Sequence, residues 1–481
     1  MRQKFFTKKR VTSLCLLAVT LAAGVVLGLL QVMPQAAFTP SDEEYPAYER
    51  MLGNVRDFSS APHPMGTEEN IAVRDMILEE ITEMGLTPAV SSYTLSYEDI
   101  MRLQLSVYKQ TEEQWWSENG AWVEDYYNIH SADEWWQYLY QYEGGAVALS
   151  NILVKLDSPS SDSSVMFVSH YDSVADGYGA GDDMVAVCAM LEGLRSQANN
   201  ANLSNDLYFL FTDGEEDVML GAQCFAKDNP EFISELDMIV NLDARGNSGG
   251  LLLYETSPKA GSFVDFAVRS DAPVIPFSLA FAIYEQMDNW TDFTVFLQNG
   301  GKGINLAVIG GYEYYHTHED TFENLNKDTA CDYLKAVLAL SSRAAEESLL
   351  PLSNSDAAVS FPFLPVGAVV ISYPAAVVIS ALGVALFALW LELCVWRKKV
   401  SIPAAAVLGV VSLLTIASAI FFMAENYLFS IPLVMFSLSF LLKKIKPAYV
   451  AALMVSGVVS LLLWTPVVYL LWEAMVVPML G

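Results

Sequence analysis

The chain has 481 residues and a formal net charge of −30, yet 53% of its residues are hydrophobic and only 17% are charged. This length exceeds one ordinary domain, and so acidic a chain is poorly suited to nucleic acid or anionic lipid, since like charges repel. The C-terminal part is nearly all apolar, whereas the acids concentrate between residues 42 and 333. The five cysteines form no CxxC motif, which excludes a disulfide framework and a structural zinc knuckle.

The N-terminus has the pattern of a membrane anchor. Residues 1–10 are basic, and residues 11–30 form an apolar run of the length that spans a bilayer as a helix. A cleaved signal peptide has a similar pattern, but this apolar core is long for a signal, so we favour an uncleaved transmembrane anchor. Lys8, Lys9 and Arg10 would then remain in the cytoplasm.

Residues 41–350 are predicted to form an extracytoplasmic α/β domain. Its first clear helix covers residues 70–84, where apolar side chains recur at helical spacing, with Thr67 placed to cap it and Gly85 as the C-cap. Residues 95–145 are an insert rich in Trp and Tyr. It could form an aromatic wall over a substrate cleft, but a hairpin or helix pair packed on the domain is the favoured interpretation.

After the insert, apolar segments alternate with helical ones, and residues 184–194 are the clearest helix. Several apolar segments are continuous runs, as expected for strands buried on both faces of a largely parallel sheet flanked by helices. The predicted strands are ALSNILVKL (148–156), VMFVSH (165–170), DLYFLFT (206–212), DMIVNLD (237–243), LLLYET (251–256) and INLAVIGG (304–311).

Residues 365–481 are predicted to form a membrane domain of about four helices, near 368–396, 403–423, 427–442 and 448–472. Basic clusters at 397–399 and 443–446 alternate with Glu425 between the spans. The positive-inside rule then predicts that the N-terminus is cytoplasmic and that the α/β domain and the C-terminus are outside. Because the spans carry no charge near their centres, anchoring is favoured over an ion pathway.

Polar residues follow successive predicted strands within the α/β domain. Each has an ordinary explanation when taken alone: a hydrogen-bonded histidine at a strand end, an aspartate that caps a helix, or a solvated acidic turn. Strand ends in one sheet converge in space, however, so four such groups together predict a site that binds metal. The groups are His170 with Asp172, Asp182 with Asp183, Glu215 with Glu216, and Asp243, and they are joined by His316 and His318.

These residues resemble the M28 family of co-catalytic zinc aminopeptidases and carboxypeptidases, in its membrane-anchored branch. The resemblance covers nearly the whole α/β domain except the 95–145 insert, and it implies a zinc-aminopeptidase-like fold with a largely parallel, mixed central sheet. The matching segments are APHPMGTEENIAVRD (61–75), SHYDSV (169–174), GAGDDMVAVCAMLEGLR (179–195), FTDGEEDVMLGA (211–222), NLDARG (241–246) and YYHTHEDT (314–321).

The resemblance implies two Zn²⁺ ions and a role for each ligand. His170 and Asp243 would hold one ion, Glu216 and His316 the other, and Asp182 would bridge both. Mixed histidine and carboxylate ligands suit zinc, although cobalt or manganese could substitute.

The resemblance also assigns the residues around the metals. Glu215 would be the general base and acid, Asp172 would orient His170, and Tyr315 would stabilise the oxyanion. His318 is not selected as a ligand, and His63 matches none.

The predicted function is therefore that of a membrane-embedded di-zinc exopeptidase, an aminopeptidase acting on peptides, in a bacterial plasma membrane. One alternative is a glutaminyl-cyclase-like enzyme with a single zinc, and another is a catalytically inactive receptor or scaffold on a peptidase fold. GNSGG (246–250) fits the GxSxG pattern of serine hydrolases, but an apparent strand follows it where that motif needs a helix. The sequence leaves the oligomeric state open.

Overall fold

The computed structural model describes residues 22–39, 42–139, 146–159, 163–285, 289–347, 358–363 and 367–396, together with the single residues 19, 287, 349 and 466. The strands are β1 Ala89–Ser96, β2 Ala146–Leu156, β3 Ser164–His170, β4 Asp206–Thr212, β5 Met238–Ala244, β6 Leu251–Thr256, β7 Val274–Pro276, β8 Gly303–Val308, β9 Ala358–Phe363 and β10 Gly367–Ser372.

The helices are α1 Tyr45–Phe58, α2 Glu68–Glu83, α3 Tyr97–Tyr108, α4 Glu112–Tyr127, α5 Ala132–Leu139, α6 Val185–Gln197, α7 Leu220–Asp228, α8 Pro230–Glu235, α9 Gly261–Arg269, α10 Ser278–Tyr284, α11 Asp292–Gln298, α12 Lys327–Glu346 and α13 Tyr373–Trp396. In α2, the Thr67 hydroxyl accepts a hydrogen bond from the Asn70 amide, and Gly85 follows with φ +78°, so both predicted caps are confirmed.

An eight-stranded sheet in the order β1-β2-β4-β3-β5-β8-β6-β7 forms the centre of the domain. Strands β4, β3, β5 and β8 are mutually parallel, while β2 and β6 join this group in antiparallel orientation on its two sides. The predicted α/β class with a mixed central sheet is therefore confirmed. Because the four central strands run in the same direction, their carboxyl ends meet at one edge of the sheet.

Burial on both faces explains the continuous apolar runs of the central strands. Along β3, Phe167 faces a core formed with α1, α2, α6 and α12, whereas Met166 and Val168 face a second core formed with α7 and α11. This alternation is the two-residue period of a strand. Both faces are covered by helices, so the polar ends of the strands are the place where functional groups can gather.

The 97–139 part of the insert forms three helices, α3, α4 and α5, rather than a hairpin or a helix pair. Trp115 and Trp135 stack with ring centroids 6.4 Å apart and join a cluster with Leu95 of β1 and Leu149 of β2. The insert is thus packed on the domain, as in the favoured interpretation. The insert also reaches the segment before α11, where the Tyr108 ring meets Trp290 edge-on with centroids 4.5 Å apart.

The apolar ends of the chain are described only in part. The predicted span at 368–396 is wrong at its start, because residues 367–372 form β10, which pairs with β9, and the helix α13 begins at Tyr373. Residues 22–30 are helical, while most of the predicted anchor at 11–30 and the predicted spans at 403–423, 427–442 and 448–472 lie outside the described residues, apart from Pro466. No helix within the described ranges is long and apolar enough to cross a membrane.

Candidate metal centre

The first group of the site lies at the carboxyl end of β3. His170 is the last residue of this strand, and its side chain is buried. Its Nδ1 lies 3.1 Å from the backbone oxygen of Asp172 and 3.4 Å from the carboxylate oxygen Oδ1 of that residue. When Nδ1 carries the proton and donates it to these oxygens, Nε2 keeps a free lone pair for a metal ion. Nε2 lies 3.3 Å from Asp182.

Asp182 lies between the two histidines predicted to be ligands. Its Oδ1 is 3.3 Å from His170 Nε2, and its Oδ2 is 3.4 Å from His316 Nε2. The turn that carries it, Ala180–Met184, directly precedes α6. Asp320 fixes this turn, because its carboxylate accepts hydrogen bonds from the backbone amides of Gly181 at 2.8 Å and Asp182 at 3.1 Å.

His316 and Glu216 form the other side of the site, with His316 Nε2 at 2.8 Å from Glu216 Oε2. His316 follows a short 3₁₀ turn, Tyr312–Tyr314, and has φ +57°, an uncommon left-handed conformation for a residue other than glycine. The Tyr315 ring stacks on its imidazole with centroids 3.7 Å apart. Backbone and stacking together direct this imidazole toward the two carboxylates.

The predicted ligands form two groups of three that share one residue. In one group, ligand atoms of His170, Asp182 and Asp243 all lie within 4.8 Å of one another, and in the other the same holds for Asp182, Glu216 and His316. Asp243 reaches this place because it lies near the carboxyl end of β5, which neighbours β3. The five residues singled out from the sequence as ligands are therefore brought together, with Asp182 in the shared position.

The charges of the cluster fit divalent cations. Burial and the neighbouring Asp182 raise the pKa of Glu216 to about 7, and burial raises the pKa of Asp243 well above its usual range. Burial opposes protonation of His316, but Asp182 and Glu216 outweigh it and raise its pKa to about 10. Carboxylates this close repel one another unless positive charge compensates them, and the imidazole and carboxylate donors present are those that zinc prefers.

Asp172 contacts the loop after β4 as well as His170. Its carboxylate accepts hydrogen bonds from the backbone amides of Glu215 at 3.0 Å and Glu216 at 3.2 Å, in addition to its proximity to His170. It thus connects the end of β3 with the acidic loop that follows β4. The sequence predicted its contact with His170, whereas its contact with this loop appears only in the fold.

Glu215 lines a cavity of about 230 Å³ together with Asp182, Asp243 and Tyr315. Burial, and next the charge of Asp243, raise the pKa of the Glu215 carboxyl well above its usual range. Much of the remaining lining is apolar or aromatic, with contributions from Leu252, Tyr254, Ile283, Tyr284 and Trp290. The cavity therefore joins a carboxyl with raised proton affinity to an apolar compartment.

The two remaining histidines of interest lie outside the cluster. His318 is exposed and belongs to neither three-residue group. His63 is fully buried, its Nδ1 lies 2.8 Å from the backbone oxygen of Ala61, and its backbone amide donates to the Ser173 hydroxyl. His63 thus ties the 61–66 loop to the segment after β3.

Sequence reasoning missed two residues at this edge. Asp320 fixes the turn of Asp182 and lies in the YYHTHEDT segment, but its distance in sequence from that turn concealed the contact. Arg245 follows Asp243 by two residues and lines the same cavity. Its position in NLDARG was visible, whereas its orientation into the cavity was not.

Residues 151–341 match the sequence profile of Peptidase family M28. The chain therefore carries a peptidase domain of family M28, and both the predicted resemblance and the predicted peptidase class are confirmed. The matched range contains each of the five predicted metal ligands as well as Glu215, Asp172 and Tyr315.

Among characterised relatives, the chain is 24% identical to the vacuolar membrane protease of Yarrowia lipolytica over 316 residues, which are 63% of this chain and 29% of that protein. It is 30% identical to endoplasmic reticulum metallopeptidase 1 of Mus musculus over 235 residues, 48% of this chain and 26% of that protein. The chain thus spans less than a third of these relatives. A solved structure, an aminopeptidase from Aneurinibacillus sp. strain AM-1, aligns with 13% identity and a TM-score of 0.46 over 64% of this chain and 96% of that one.

Proposed function

We propose that this chain is a membrane-anchored di-zinc exopeptidase that acts as an aminopeptidase on peptides. The observation that carries the proposal is the pair of three-residue groups that share Asp182. His170 and Asp243 would hold one zinc ion, Glu216 and His316 the other, and Asp182 would bridge them. When bound, two such ions acidify a water and polarise the carbonyl of the scissile bond.

Glu215 is the proposed general base and acid. It lines the cavity together with Asp182 and Asp243, where a carboxylate can take a proton from the attacking water and return it to the leaving amine. Gln at this position would keep the shape of the side chain but could not accept the proton.

Asp172 and Tyr315 have supporting roles in the proposal. Asp172 holds the His170 imidazole and the amides of Glu215 and Glu216, so it fixes a ligand and the base relative to each other. The hydroxyl of Tyr315, in the same cavity, is the proposed donor to the oxyanion. The concentration of carboxylates favours binding of a free α-amino group, which supports the aminopeptidase mode over the carboxypeptidase mode.

Metal analysis of the purified full chain tests the proposal. We expect about two zinc ions per chain in the wild type, fewer in His316→Ala, and the wild-type number in His318→Ala, the matched control for an exposed histidine in the same segment. The wild type should also release amino acids from a panel of short peptides. One ion per chain would favour the glutaminyl-cyclase alternative, and two ions without hydrolysis would favour an inactive scaffold.

The membrane part of the proposal rests on the apolar runs at 11–30 and beyond residue 372, and on the relative from Yarrowia lipolytica, whose name places it in a membrane. We place the peptidase domain on the extracytoplasmic side of a bacterial plasma membrane, with the basic loops inside. Protease treatment of intact cells and of inverted vesicles measures this orientation. Cleavage of the domain only in inverted vesicles would contradict it.

A further inference from the structure

Arg245 is a cation on the wall of the acidic cavity. It lies just beyond the end of β5, two residues after Asp243, and its backbone amide donates to Val308 at 2.9 Å, which continues the pairing of β5 with β8. Arg245 lines the cavity together with Glu215 and Tyr315. The fold thus gives the cavity that holds the proposed base one arginine in its lining.

The Arg245 guanidinium is incompletely paired. Its Cζ lies 5.3 Å from the centroid of the Tyr312 ring, which supports one face of the side chain. Its Nε is buried without a hydrogen-bond partner, and within the described residues no carboxylate forms an ion pair with it. Burying such a donor without an acceptor is unfavourable, so the arrangement suits a site whose acceptor arrives with a ligand.

The size of the cavity restricts which ligand group could accept a hydrogen bond from Arg245. Its volume of about 230 Å³ is smaller than the roughly 300–1,000 Å³ of pockets for drug-sized ligands. Because Arg245 lines the same cavity as Asp182, Asp243 and Glu215, a small substrate whose scissile bond lies at these residues would bring the adjoining residue into the cavity that Arg245 lines. Guanidinium binds carboxylate in planar, two-point geometry.

We propose that Arg245 binds a substrate carboxylate on a residue next to the scissile bond. This inference rests on the proposed function and narrows it to peptides that present a carboxylate there. The carboxylate has two possible sources: the C-terminal carboxylate of a dipeptide, or the side chain of an acidic residue. Both offer the same two oxygens to the guanidinium.

Four substrates distinguish these sources in assays of the full chain. The first pair is Leu-Ala with a free C-terminus and the same dipeptide as its C-terminal amide; the second is Glu-Ala amide and Gln-Ala amide. We expect wild-type kcat/KM to be roughly 10- to 100-fold higher for the carboxylate member of one pair, the range for a charge-assisted hydrogen-bonded pair. The pair that shows the preference identifies the source.

Arg245→Gln and Arg245→Lys test the residue itself. Gln should abolish the preference within the pair, and Lys, which keeps the charge but not the planar fork, should retain part of it. Arg56→Gln is the matched control, because Arg56 is exposed and pairs with Asp57 on α1. Its preference should equal that of the wild type.

The outcomes separate this inference from the proposed function. If the wild type cleaves peptides but treats both members of each pair equally, or if Arg245→Gln lowers kcat/KM equally for all four, the inference fails while the peptidase remains. If the wild type cleaves none of them or any other short peptide, the proposed function itself fails. Unfolding temperatures of the variants, measured alongside, identify a variant that has lost its fold.

Discussion

Two kinds of buried carboxylate lie within four residues of each other in the loop after β4. Asp213 accepts hydrogen bonds at both oxygens, from Asn70 Nδ2 at 3.0 Å, the Ser150 amide at 2.9 Å and the Tyr171 hydroxyl at 3.1 Å. Glu216 instead faces a histidine and lies in a cluster of further carboxylates. Burial raises the pKa of both carboxyls to about 7. They differ in their partners, because Asp213 is held by neutral donors, whereas Glu216 lies among acids and imidazoles, a set of groups that suits cations.

The acids of the TDGEED segment therefore have different surroundings and different expected roles. These acids look alike in sequence, but the first connects β2, β3 and α2, while the third belongs to the proposed metal centre and the second to the cavity. If this comparison is right, substitution of the first acid should affect stability, and substitution of the others should affect activity and metal content.

The largest effect is expected for Glu215→Gln. Loss of the proposed base should lower kcat by roughly 10²- to 10⁴-fold, because no other group would take the proton. Metal content and unfolding temperature should stay near wild type. Peptide hydrolysis is the measurement, and Glu319→Gln, an exposed acid near His316, is the control. Residual activity within a factor of ten of wild type would remove Glu215 from the mechanism.

Glu255→Gln tests whether a buried acid outside the metal cluster affects stability rather than activity. Glu255 is buried and accepts a hydrogen bond from Asn305 at 2.8 Å, and burial raises its pKa to about 7. A carboxyl whose pKa is raised by folding lowers stability as pH rises from its unfolded value toward the folded one. Gln lacks this charge, so it should stabilise the protein by roughly 3 kcal/mol at pH 8 and by little near pH 4.

Urea unfolding at several pH values measures the effect of Glu255→Gln, with Glu346→Gln, on α12, as an exposed control. A stability gain that is independent of pH would show that the Glu255 charge is not the cause. Activity on peptides should be unchanged, because Glu255 belongs to neither three-residue group.

The smallest effect is expected for a comparison of Asp213, which neutral donors hold, with Asp243, which belongs to the cluster. Asp213→Asn replaces an accepting oxygen with an amide N–H among donors, so near pH 5 it should lower the free energy of unfolding by roughly 1–3 kcal/mol. Burial raises the pKa of Asp213 to about 7, so above that pH the loss of a buried charge should offset part of this cost. Asp243→Asn removes one of several repelling charges, so in metal-free protein it should not lower stability. Its zinc content should fall instead. Chemical denaturation with and without a chelator compares both variants, and equal losses of stability for the two would overturn the distinction.

Much of the fold could be predicted from the chain. Continuous apolar runs such as 206–212 and 251–256 coincide with β4 and β6, because burial on both faces demands apolar side chains throughout. Helix α6 begins and ends within three residues of the predicted 184–194. The error at residues 367–372 has a physical cause: an apolar run does not reveal whether it pairs as a strand or continues as a helix.

The residue types of the site could be predicted from the chain, because polar groups that follow successive strands converge at one edge of a parallel sheet. The sequence could not determine the long-range contacts that decide function. Two of these contacts join residues that are distant in the chain: Asp320 fixes the turn of Asp182, and Asp172 accepts from the amide of Glu215. The place of Arg245 in the cavity lining depends on how the segment after β5 packs. Only tertiary packing decides such contacts, because sequence spacing constrains neighbours along the chain and not across the sheet.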